Sequence, residues 1–269
     1  MLSTVLALLA GCAADRPLNP SFPLTVAAAR QALWQMQADP KPLQRPVLVL
    51  SGIHDPGLVA ASLGNRLRRI TTEDATIETI SFFGTDTFDA CRARLLDRAE
   101  AMAGSGEGGG LAGEVDVVAV SMGGLVARYA AMARPEDERK LRIRRLFTIS
   151  SPHRGASMAS LPTLDRRIVD MRSGSAFLLA LDAALEKAHY ELLCYVRLGD
   201  AIVGASNAAP PGRRAWWVQP GASLAHLWAH EDRRIVADIA RRLRGEAPFT
   251  RLPPAEPVIR KTAATGADP

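Results

Sequence analysis

Apolar positions along this chain fall into short runs rich in branched side chains, separated by stretches where they recur every three or four residues. Runs at 46–51, 76–82, 115–120, 144–150, 192–198 and 215–218 predict strands. Helical spacing predicts helices near 58–70, 88–103, 122–133 and 232–244, with another around 24–37 ahead of the first strand. Strands alternating with helices imply an α/β domain, a mostly parallel central sheet covered on both faces. Residues 156–190 interrupt the alternation with an apolar stripe that includes Met158, Leu161, Ile168, Met171 and Leu181. Such a helical insertion either packs on the sheet or forms a cap that lines a pocket. The glycines of 104–113 read as a surface link without the Gly-Lys-Ser/Thr of a phosphate-binding loop. Residues 246–269, rich in Pro, Ala and Thr, read as a disordered tail.

The strand at 115–120 stops at Ser121, and a helical pattern begins at once with Met122-Gly123-Gly124. Ala119 and Gly123 flank the serine at −2 and +2. This is the layout of a nucleophile elbow, where a sharp strand-to-helix turn exposes a serine hydroxyl and leaves no room for bulky neighbours. Ala119 stands where glycine is usual, so its Cβ must be accommodated.

A nucleophilic serine needs a base, an acid to orient it and two oxyanion donors, in the chain order Ser, Asp or Glu, then His. Of the five histidines, His226 and His230 lie far enough downstream. His226 sits in a loop between the last strand and the last helix, from which an imidazole reaches the sheet's C-terminal edge. His230 is the rival, better placed to line or cap the final helix. Asp200 follows the strand at 192–198 and the breaking Gly199, which suits the acid. The backbone N–H of Met122 is one oxyanion donor. The N–H of Ile53, in the loop after the first strand, is the other. No histidine-glutamate spacing of a zinc protease occurs, and no metal or cofactor is expected.

Four ordered blocks, Leu48–Gly57, Val117–Tyr129, Thr148–Ala156 and Gly199–His226, resemble an α/β-hydrolase of the bacterial lipase/esterase type. The third, Thr-Ile-Ser-Ser-Pro-His-Arg-Gly-Ala, is similar to the lipases' Gly-Thr-Pro-His-x-Gly, with Ser150 in place of glycine. The resemblance implies ester hydrolysis through a serine acyl-enzyme, with 46–245 as the hydrolase domain and 156–190 as its cap. A thioesterase, amidase or acyltransferase shares this chemistry, and a non-catalytic binding platform shares the fold.

The net charge of +5 could suggest nucleic acid, but arginines are scattered and no aromatic residues interleave with them to stack bases. Met1–Ala10 is apolar and leads into Leu8-Leu9-Ala10-Gly11-Cys12, which resembles a bacterial lipoprotein box. Residues 1–11 are then a signal peptide, Cys12 the lipid-attachment site and 12–45 an N-terminal segment and linker. The expected location is the cell envelope, anchored to a membrane and facing the periplasm or the outer surface. Cys91 and Cys194 would be the only remaining thiols, read here as buried and unpaired. The sequence leaves the oligomeric state and acyl-chain preference open.

Overall fold

The computed structural model describes residues 19–103, 113–220 and 225–258. Residues 1–18, including the expected signal and Cys12, lie outside them, as do 104–112, 221–224 and 259–269. Elements follow in the order α1 Val26–Ala38, β1 Val47–Leu50, α2 Leu58–Arg68, β2 Ile77–Ile80, α3 Phe88–Ala103, β3 Val115–Val120 and α4 Met122–Ala131. The second half contains β4 Ile143–Ile149, α5 Arg166–Asp170, α6 Ala176–Leu185, β5 Glu191–Arg197, β6 Trp216–Val218 and α7 Arg233–Leu243. The six strands form one sheet in the order β2-β1-β3-β4-β5-β6, parallel throughout.

β3 is buried along its whole length because both faces of the sheet are covered. Val118 and Val120 join a cluster with Leu63, Ile235 and Ile239, on the side of α1, α2 and α7. Val117 and Ala119 join the opposite cluster with Leu95, Leu125 and Val126, on the side of α3 and α4. The period-two alternation of a strand therefore supplies both cores, and hydrophobic burial on two faces explains the apolar run Val117–Val120, while the buried Asp116 before it is paired with Arg145.

Two sequence expectations need correction. The segment 246–258, read as part of a disordered tail, runs along the edge strand β6. The indoles of Trp216 and Trp217 donate to the carbonyls of Arg251 (2.9 Å) and Glu256 (3.0 Å). The side chain of Asn19 donates to the Trp217 carbonyl at 2.9 Å. The folded body thus extends beyond 46–245 at both ends, with α1 packed on α7. Segments that cover an exposed strand edge need no apolar periodicity of their own, because individual hydrogen bonds to backbone carbonyls or from side chains hold them.

The insertion 156–190 is less helical than its stripe predicts. It contains a 3₁₀ turn (Ser157–Ser160), the five-residue α5 and the ten-residue α6. Leu178 and Leu181 pack into the core, while Leu161, Leu164 and Leu179 stay exposed. The stripe therefore serves more than one surface.

Candidate active site

Ser121 sits between β3 and α4 with φ 52° and ψ −127°, a conformation that L residues adopt only under strain. A Cβ added to Gly123 would lie 2.6 Å from the Ser51 carbonyl oxygen, and one on Gly124 would lie 2.3 Å from Ser151 Oγ. Glycine at both positions lets α4 leave the sheet directly after the serine. Gly52 faces the serine as well, since a Cβ there would lie 3.1 Å from Ser121 Cβ. Ala119 keeps its Cβ within the core cluster, fully buried.

His226 Nε2 lies 3.1 Å from Ser121 Oγ, and His226 Nδ1 lies 2.9 Å from Asp200 Oδ2. The other carboxylate oxygen of Asp200 accepts the N–H groups of Ile202 (3.1 Å) and Val203 (2.9 Å). Burial opposes ionisation of Asp200. The hydrogen bond and charge of His226, with the Val203 N–H, outweigh it and hold the carboxyl below its ordinary value. A carboxylate can only accept, so Nδ1 carries the imidazole proton and Nε2 presents its lone pair to the serine hydroxyl.

Met122 opens α4, where helix geometry leaves its N–H without an intrahelical acceptor. Neither this N–H nor that of Ile53 donates to a protein acceptor among the described residues. His230, the rival base, bonds neither Ser121 nor Asp200 and lies 3.9 Å from Glu231. Burial lowers its pKa. Ser121, His226 and His230 all line a cleft of about 650 Å³ whose walls include Ile53, Met158, Ile168 and Met171.

Two further arrangements escaped the sequence reading. His54, at φ 59° next to Ile53, places Nε2 3.0 Å from Asp165 Oδ2, joining the loop after β1 to the N-cap of α5. Arg167 also binds Asp165 and holds its carboxyl down at about 2. The second arrangement is buried. Arg128 Nη1 donates to His153 Nδ1 (3.1 Å), Arg128 Nη2 donates to Asp182 (2.7 Å), and His153 Nε2 lies 3.0 Å from Thr148 Oγ1. Because arginine can only donate, the His153 proton must reside on Nε2, directed at Thr148. This chain of bonds ties β4 and α4 to α6.

His153 has a measurable consequence. Complete burial and the neighbouring Arg128 push its pKa well below the ordinary histidine value. The unfolded chain then binds a proton near pH 6.5 and below that the folded chain refuses. Stability is therefore complete above that pH and falls as pH drops, by up to about 1.4 kcal/mol per pH unit from this group. Urea unfolding between pH 7 and pH 5 should show the slope, and His153→Gln, whose amide can accept from Arg128 and donate to Thr148, should reduce it. An unchanged slope would assign the acid sensitivity elsewhere, with His230 the next candidate.

Both thiols are buried and unpaired. Burial raises each thiol pKa, that of Cys194 to about 11, so neither is poised as a nucleophile. Among the described residues no cluster of three or more His, Cys, Asp or Glu could hold a metal ion. No described helix is long and apolar enough to cross a membrane.

No family model and no curated protein matches this chain. Solved structures do. The lin2722 gene product of Listeria innocua superposes with a TM-score of 0.52 at 17% identity, over 74% of this chain and 93% of that one. The mature lipase BlEst2 of Bacillus licheniformis gives 0.50 at 15% identity, over 73% and 89%. Phospholipase PlaB of Legionella pneumophila in complex with thio-NAD gives 0.51 at 13% identity, over 74% of this chain and 56% of PlaB, just over half its length. The fold is that of the α/β-hydrolases. At these identities the likeness is one of architecture. In an α/β-hydrolase fold, residues that follow the C-terminal ends of β3, β5 and β6 meet at one rim, and Ser121, Asp200 and His226 occupy those three positions here.

Proposed function

We propose that this protein is a serine hydrolase of carboxylic esters. The observation that carries the reading is the line of two hydrogen bonds from Ser121 through His226 to Asp200, starting at a strained elbow. In this reaction Ser121 Oγ attacks the ester carbonyl carbon while His226 Nε2 takes the hydroxyl proton. The carbonyl oxygen becomes an oxyanion held by the N–H groups of Ile53 and Met122. Asp200 keeps the imidazole in the required tautomer and stabilises it once protonated. Collapse of the intermediate expels the alcohol, protonated by His226, and leaves the acyl group on Ser121. Water, deprotonated by His226, then attacks the acyl carbonyl and releases the acid.

The cleft supports an acyl substrate. Its apolar walls beside Ser121 suit a hydrocarbon chain, whose burial contributes about 0.8 kcal/mol per methylene. We place the protein in the cell envelope, tethered through a lipid on Cys12, a reading supported by the Leu8–Cys12 sequence. Metabolic labelling with a palmitate analogue, lost in Cys12→Ser, would test the tether.

A fluorophosphonate probe and p-nitrophenyl esters of graded chain length test the chemistry. The wild-type chain should label and hydrolyse, Ser121→Ala should do neither, and His230→Ala should retain most turnover. Labelling that persists in Ser121→Ala would exclude this serine. A His230→Ala variant less active than His226→Ala would reassign the base.

A further inference from the structure

A second cleft, of about 460 Å³ and sharing no lining residue with the Ser121 cleft, lies between α1, α2 and α7. Arg30 and Trp34 come from α1, Arg66 and Arg69 from the α2 end, and Arg233 from the first turn of α7. Leu33, Ile70 and Val236 supply apolar wall, and no Asp or Glu lines it.

The arginines of these helices differ in their partners. Elsewhere on the same helices, Arg68 binds the Ile77 carbonyl, Arg234 binds Asp232 and Gln219, and Arg244 binds three backbone carbonyls and Glu246. Arg66 pairs with Glu231 at 3.3 Å. Arg30, Arg69 and Arg233 make no ion pair and no side-chain hydrogen bond among the described residues. Three exposed, unpaired guanidinium groups therefore line one concavity, where a bound anion would offset their mutual repulsion. Trp34, 67% exposed, presents an aromatic face at the same cleft. Guanidinium forks match phosphate oxygens in pairs, and an indole face accepts the apolar or planar group that a phosphate ester carries.

We propose that this cleft binds the phosphate of a phosphate ester, with Arg30, Arg69 and Arg233 as its ligands and Trp34 against the esterified group. Anionic phospholipid headgroups and soluble phosphate esters share this chemistry. The site is separate from the Ser121 cleft, so it stands or falls apart from the hydrolase reading.

The test uses the full chain carrying Cys12→Ser, which removes any acyl tether, and Ser121→Ala, which removes turnover. Binding is measured to phosphatidylglycerol vesicles, to phosphatidylcholine vesicles and to glycerol 1-phosphate. Arg30→Gln with Arg69→Gln is compared with Arg144→Gln with Arg213→Gln, which removes the same charge elsewhere. The cleft pair should weaken binding at least about tenfold, as expected for lost charge-assisted hydrogen bonds, and the control pair less than twofold. Loss confined to phosphatidylglycerol vesicles identifies a lipid headgroup, and loss with glycerol 1-phosphate identifies a soluble ester. Absence of binding to both anionic probes, equal binding to phosphatidylcholine, a cleft-pair loss below tenfold or a control-pair loss of twofold or more overturns the proposal.

Discussion

Replacing His226 by alanine is expected to lower kcat/KM for ester hydrolysis by about 10⁶-fold, with KM nearly unchanged. In the proposed mechanism the imidazole takes and returns the serine proton, an interaction made in the transition state and absent from substrate binding. Asp200→Asn should cost about 10⁴-fold, for a different reason. The amide side chain can donate to Nδ1, which favours the tautomer whose proton sits on Nε2 and blocks proton removal from Ser121. The decisive measurement is the double variant. Ser121→Ala with His226→Ala should be no slower than either alone, because the two groups act as one unit. Independent, multiplying losses would show that His226 contributes by some route other than Ser121, and the proposed mechanism would fail.

The second large effect concerns stability. Asp238 is fully buried and accepts from Tyr195 Oη (2.7 Å), Arg242 Nε (3.1 Å), the N–H groups of Phe249 (2.6 Å) and Thr250 (2.8 Å), and Thr250 Oγ1 (3.0 Å). Removing the carboxylate strands all these donors and leaves Arg242 without its closest acidic partner. Asp238→Ala should therefore cost about 3–5 kcal/mol, the range for breaking a buried ionic cluster. For a chain of this size that lowers Tm by on the order of 10 °C. It should also free 246–258 from β6, seen as new protease cleavage there and as red-shifted Trp216 and Trp217 emission. A variant as stable as wild type, with the segment still protected, would contradict this account.

Strand positions were legible because burial on two faces favours apolar side chains at successive sites, as in Val47–Leu50 and Val117–Val120. Ser121 was legible because a strained turn between strand and helix demands small neighbours, and Gly123 meets a backbone oxygen if enlarged. The backbone N–H groups proposed as oxyanion donors, those of Ile53 and Met122, have no side-chain signature and were read only from the elements that carry them. The choice between His226 and His230 rested on loop position, and spacing alone cannot say which imidazole faces the sheet's rim. The Thr148–His153–Arg128–Asp182 chain was invisible because its bonds join side chains from separate elements without any periodic signature. The 246–258 segment was misread for a related cause. Indole N–H groups and Asp238 hold its backbone, and composition does not report such bonds.

Under the proposed mechanism, the positive φ at Ser121 sets the protein's heat resistance against its turnover. Glycine would adopt that backbone without cost and relieve about 1–2 kcal/mol of steric penalty, yet it carries no oxygen to react. A library selected for thermal survival alone would drift toward glycine at 121 and enrich inert protein. Any engineering of this scaffold must therefore couple its screen to product formation.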